Sequence, residues 1–234
     1  MSINKEKYQK IITELSGKAT LVAVSKTKPA EDILELYNLG QRDFGENYVQ
    51  ELKEKHELLP KDIRWHYIGH LQSNKVKYIA PFVHLIHGVD SLSLLKEINK
   101  QALKNNRIID CLLQIYIAKE ETKFGLDEHE LSQLHDTSTN SVKELKNVQI
   151  IGLMGMASFV SSEQTIREEF QNLSSIFKKI KNQSSSSLSL GEGLGSGFQM
   201  LSMGMSSDYK IALEEGSNMV RIGSLLFGER NYNQ

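Results

Sequence analysis

Short apolar runs alternate with amphipathic stretches along most of this chain, a pattern that predicts βα units around a parallel sheet rather than hairpins. The strand candidates are Leu21 to Lys26, Asp43 to Glu46, Arg64 to His70, Val83 to Val89, Ile109 to Ile117, Val148 to Met156, Phe198 to Met205 and Met219 to Gly228. Eight such runs in 234 residues match a (β/α)8 TIM barrel built without large insertions. Apolar positions at three- and four-residue spacing over Ser91 to Asn106 and Ser162 to Asn182 predict two outer-ring helices. The punctuation agrees. Pro29 suits a first helical position, Glu31 and Asp32 complement the positive helix end, Gly40 suits a C-terminal stop, and Asp127 to Glu130 reads as a capping box.

One segment breaks the rhythm. Gln183 to Gly197 is low-complexity Ser and Gly, too polar to order itself by burying apolar area, and is expected to be a flexible connection on the bottom face. Its glycines do not form a nucleotide loop, because no strand precedes them and no helix follows before the next strand.

Composition narrows the functional classes. A hydrophobic share of 39% and a charged share of 24% are those of an ordinary soluble protein, read as a single barrel domain over residues 1–234. Twenty-eight basic against 29 acidic residues leave a net charge of -1, so no bulk field draws nucleic acid or an anionic membrane, and any anion site must be local. No segment approaches the roughly 18 apolar residues of a spanning helix, and the charged, amphipathic N-terminus points to a cytoplasmic location. Cys111, the only cysteine, excludes an internal disulfide and reads as a small buried hydrophobe.

In a barrel the working side chains stand at the C-terminal strand ends. Lys26 closes the apolar run of the first strand, where desolvation would lower its pKa, and an extended strand would aim Lys28 the same way. Taken alone, Lys26 reads more readily as an ordinary rim residue than as a reactive one. Ser206 and Ser207 after the seventh strand, with Gly223 and Ser224 after Arg221 in the eighth, occupy the usual phosphate position of barrels, although turn chemistry accounts for the same residues. A lysine and a phosphate cradle together suggest a phosphorylated aldehyde. No metal is expected. His66 and His70 would lie about 13 Å apart on a strand, and the odd offset of His84 and His87 puts them on opposite faces.

Several long motifs then follow in order: AVSKTKP (Ala23 to Pro29), FGENYVQE (Phe44 to Glu51), WHYIGHLQSNK (Trp65 to Lys75), KFGL (Lys123 to Leu126), LSMGMSSDY (Leu201 to Tyr209) and MVRIGSLLFGERNY (Met219 to Tyr232). On these the chain resembles the pyridoxal phosphate homeostasis protein family (YggS/PROSC), related to the alanine racemase N-terminal barrel, the type III fold of pyridoxal phosphate (PLP) proteins. The resemblance implies that Lys26 carries pyridoxal 5′-phosphate as a Schiff base, with Asn47 beside the cofactor. It implies that Ser202, Ser206, Gly223 and Ser224 hold the phosphate, and that Arg221 meets the pyridine nitrogen. The sequence departs from the family at Ser224, where Thr is usual, at Gly88 (usually Ser) and at Tyr116 (usually Asn).

An arginine does not surrender its proton here, so it favours an unprotonated ring and a weak electron sink. Thirteen residues follow Arg221, too few for the second, β-rich domain that alanine racemases use. The expected function is therefore intracellular PLP (vitamin B6) homeostasis without robust catalysis, with PLP-dependent apoenzymes as recipients and a monomer preferred. The alternatives are an amino-acid racemase working on the barrel alone and a cofactor-free aldolase using Lys26.

Overall fold

The computed structural model describes residues 3–117, 125–127, 130–131, 145–160, 162–186 and 197–229. All eight expected strands form. They are β1 (Thr20–Val24), β2 (Asp43–Glu46), β3 (Arg64–Tyr67), β4 (Leu85–Val89), β5 (Ile109–Gln114), β6 (Val148–Met154), β7 (Met200–Ser202) and β8 (Met219–Ile222). They pair in parallel and in chain order, and β8 returns to β1 with Thr20 opposite Met219 and Ala23 opposite Ile222, closing the barrel.

Alternation along each strand sorts the side chains into two apolar layers. Ala23, Ile86, Cys111, Leu113, Leu153 and Val220 join the large core between barrel and helices, whereas Val22, Leu85, Leu112, Met154 and Met219 form a smaller cluster inside the barrel. The same parity sends Asp43, His66, His87, Ser202 and Arg221 inward, since Phe44, Trp65, Ile86, Leu201 and Val220 beside them face the outer core. Cys111 is fully buried there, as expected.

The surrounding helices are α1 (Lys5–Leu15), α2 (Ala30–Asn38), α3 (Val49–Leu58), α4 (Val76–Ile79), α5 (Leu92–Lys104), α6 (Glu163–Ser186), α7 (Tyr209–Glu214) and α8 (Ser224–Phe227). Pro29 is the N-cap of α2 rather than its first helical residue, and Gly40 takes φ +103° just beyond the C-terminus. Asp127 and Glu130 form the reciprocal capping box, Glu130 N donating to Asp127 Oδ1 over 2.7 Å and Asp127 N to Glu130 Oε2 over 3.0 Å.

The Ser/Gly segment is not wholly a loop. Helix α6 continues through 183–186, because an established helix adds residues without a new nucleation cost and serine opposes it by well under ~1 kcal/mol each. Positions 187–196 of that segment, and Lys123 and Phe124 of the KFGL motif, lie outside the described residues. Among the described residues no helix is long and apolar enough to cross a membrane.

Candidate functional site

A cavity of about 440 Å³ opens at the C-terminal rim of the barrel. Six of the seven residues given a cofactor role by the resemblance line it, namely Lys26, Asn47, Ser206, Arg221, Gly223 and Ser224, and so do Lys28 and Ser207. Ser202 is set apart, fully buried beneath the cavity, where its hydroxyl accepts a hydrogen bond from Arg221 over 2.7 Å.

The lysine sits on a shaped turn. β1 stops at Val24, Lys28 N bonds Ser25 O over 3.0 Å, and Thr27 takes φ +63°, a left-handed conformation that a β-branched residue adopts only when its surroundings impose it. The imposing groups come from β2 and α3. Ser25 Oγ donates to Glu46 Oε1 (2.6 Å), Thr27 N donates to Glu51 Oε1 (2.6 Å), and Lys55 Nζ donates to Ser25 O (2.7 Å). Lys55 also pairs with Glu46 (2.8 Å) and Glu51 (2.6 Å), so one buried ammonium serves two carboxylates. The residues on both sides of Lys26 are therefore held by a single ionic cluster.

Burial pushes the Glu46 carboxyl up to about 7, against the opposing pull of Lys55. Although the turn at Thr27 breaks the two-residue alternation, Lys28 still lines the same cavity as Lys26. Its ammonium donates to Phe227 O over 2.8 Å, tying the turn to the end of α8.

Opposite the lysine, Ser206 Oγ accepts from Gly223 N over 3.2 Å, so the two phosphate-candidate segments touch. A side chain at position 223 would press on Val24 O, its Cβ only 3.1 Å away, so glycine lets this segment pass close to the end of β1. Gly204 takes φ +97° at the start of the turn that carries Ser206. Asn47 brings a further polar group: its Oδ1 is buried and has no hydrogen-bond partner among the described residues. Val24, Ile68, Met156 and Phe159 supply apolar walls.

Arg221 forms part of the lining from within the barrel. Nη1 donates to Ser202 O (2.9 Å) and Oγ (2.7 Å), and Nη2 donates to Gly155 O (3.0 Å). Burial lowers its pKa to about 10, which still leaves it cationic at neutral pH.

These residues fit a flat, phosphorylated aldehyde: an amine on a fixed turn, hydroxyl and N–H donors opposite it, apolar walls and an unsatisfied amide oxygen between. The family model for the alanine racemase N-terminal domain matches residues 4–231. The pyridoxal phosphate homeostasis protein of Aquifex aeolicus is 41% identical over 215 residues, covering 92% of this chain and 88% of that one. The chain belongs to the pyridoxal phosphate homeostasis protein family. PipY of Synechococcus elongatus, solved with and without PLP, shares 33% identity across 95% of this chain and 99% of its own, with TM-scores of 0.83 and 0.84. Alanine racemase of Bartonella henselae, 16% identical at a TM-score of 0.67, shares the fold, and this chain, 97% covered, spans 60% of it.

Among this family member's departures, Ser224 lines the cavity while Gly88 does not, and a Cβ at position 88 would stand 2.7 Å from Gly69 O. In the sequence Glu46 only ends the second strand run and Glu51 only ends a motif, and nothing there marks Lys55; their cluster exists only in the fold. Histidines read in pairs along one strand gave no contact, yet between strands His66 lies against both His84 and His87, with ring centroids 5.4 and 5.2 Å away. Asp43, His66 and His84 place three possible ligand atoms within 4.8 Å of one another, but both Asp43 oxygens are already engaged by Arg64 and His66.

Proposed function

We propose that this chain binds pyridoxal 5′-phosphate at the C-terminal rim, covalently on Lys26, and serves intracellular PLP homeostasis without robust catalysis. The observation that carries the reading is the convergence of Lys26, Asn47, Ser206, Arg221, Gly223 and Ser224 on one cavity, in a chain whose relatives bear that function in their names. When bound, PLP supplies an aldehyde that condenses with an amine and a ring that withdraws electrons. On this chain, Lys26 would offer the amine, Ser206, Gly223 and Ser224 would hold the phosphate, and Asn47 would lie at the side. Arg221 would meet the ring nitrogen with a proton it does not give up, and Ser202 would act by holding Arg221.

A guanidinium there disfavours the protonated pyridine on which carbanion chemistry depends, which argues against the racemase alternative. The reading takes residues 1–234 as one cofactor-binding domain, monomeric and cytoplasmic, with PLP-dependent apoenzymes as recipients.

The test is spectroscopic. Purified protein mixed with PLP should gain a visible absorption band that Lys26→Ala loses, and a chain that never gains it overturns the reading. Amino acids added to the loaded protein should yield no product through many turnovers. Sustained racemisation would make it an enzyme.

A further inference from the structure

Five buried side chains cross the barrel interior in a hydrogen-bonded series that reaches the cavity at one end only. Arg221 Nη1 donates to Ser202 Oγ (2.7 Å), Ser202 Oγ lies 3.3 Å from His87 Nδ1, His87 Nε2 lies 2.9 Å from His66 Nδ1, and His66 Nε2 lies 3.0 Å from Asp43 Oδ1. Asp43 is the first residue of β2, at the rim opposite the cavity, where Arg64 holds both its oxygens at 2.7 and 2.5 Å.

The chemistry of the two ends sets the direction of every bond between them. A guanidinium has only donors, so Ser202 Oγ accepts from Arg221, which leaves its own hydrogen free to turn to His87 Nδ1. An imidazole that accepts at Nδ1 carries its hydrogen on Nε2, and His87 gives that hydrogen to His66 Nδ1. His66 is then also an Nε2–H ring, and it donates to a carboxylate, which has only acceptors. With His66 neutral, the reverse sense would require a protonated Asp43. Burial works against the charge there, but the hydrogen bonds from His66 and Arg64 outweigh it and hold the carboxyl well below the usual range. Burial likewise holds His87 far below the ordinary histidine value, hence neutral.

We propose that Asp43 is a positioning residue for Arg221, acting from the opposite rim by fixing the sense of the hydrogen bonds through His66, His87 and Ser202. Nη1 of Arg221 is thereby committed to Ser202, while the residue still lines the cavity. The bearing of this on the cofactor rests on the function proposed above. The direction of the series does not.

Nitrogen-15 NMR of the full, cofactor-free chain labelled at histidine tests that direction near neutral pH, with signals assigned from His66→Asn and His87→Asn. Both rings should be neutral Nε2–H tautomers, and a charged ring or an Nδ1–H tautomer at either position overturns the proposal. Asp43→Asn, which can donate as well as accept, should give a mixture of tautomers in both rings and shift the visible band of the PLP-loaded protein, whereas Asp43→Glu should restore both. Wild-type signals together with a wild-type band in Asp43→Asn would sink it. Should Asp43→Asn not fold, Ser202→Ala cuts the series at its other end and should release His87 while His66 keeps its tautomer, and an unchanged His87 would count against the proposal. If wild type never takes up PLP, the proposed function fails while the histidine signals still decide the direction of the series.

Discussion

A lysine becomes useful to an aldehyde only when its backbone holds it toward one, and here the holding is done by charge. Glu46 is the informative member of the cluster under Lys26, because burial raises its carboxyl from 4.5 to about 7. In the folded chain Glu46 keeps a proton that the unfolded chain has lost, so its contribution to stability is complete below about pH 4.5 and disappears as pH rises through about 7. Glu46→Gln cannot titrate, and its unfolding free energy should depend less on pH between about pH 5 and about pH 8 than wild type's does. Urea melts across that window check this. Parallel curves for the two proteins would mean that Glu46 is ionised throughout.

Elements shape the other half of the site. β7 ends at Ser202, and the chain reaches Ser206 only by turning at Gly204 with φ +97°, after which α7 begins at Tyr209. In Gly204→Ala the added carbon would meet Ala212 Cβ at 2.6 Å and Tyr209 Cα at 2.9 Å, in a conformation that L residues rarely take. The expected cost is about 1–3 kcal/mol of stability, and displacement of the Ser206 turn should weaken PLP binding roughly tenfold. Parallel titrations with PLP and with pyridoxal, which lacks the phosphate, separate the effects. A loss shared equally by both ligands would show that the turn does not serve the phosphate.

At the scale of the molecule, the shortest strand forms the narrowest seam of the barrel. β7 has three residues; it is held to β8 by backbone bonds from Asn218 N to Leu201 O (3.1 Å), Met203 N to Met219 O (3.2 Å) and Arg221 N to Gly204 O (3.0 Å), and on its other side Gly152 of β6 faces Met200. Any Cβ at position 152 would overlap the Met200 carbonyl. Gly152→Val should therefore part these strands and lower stability by roughly 3 kcal/mol or more, read as a fall in Tm, while Gly17→Ala, with open space around it but φ +72°, should cost only about 1 kcal/mol. Equal Tm values for the two variants would show that the seam has slack.

Much of this protein is local and so was legible in the chain. Alternating apolar runs mark the eight strands, the spacing of Asp127 and Glu130 marks a cap, and the strand-end positions of Lys26, Asn47, Ser206, Gly223 and Ser224 place them on one rim once closure is assumed. Periodicity also sends Ser202 and Arg221 inward, but not to a depth, and Ser202 lies too deep to line the cavity. What only the tertiary structure decided is which distant residues meet. Lys55 reaches Ser25 across 30 positions and Ser202 reaches His87 across 115, because neighbours in a parallel sheet are chosen by the register between separate segments. Where the first strand stops is another such outcome. The apolar run extends to Lys26, yet Glu46, Glu51 and Lys55, all distant in sequence, bend it into the turn that carries the lysine.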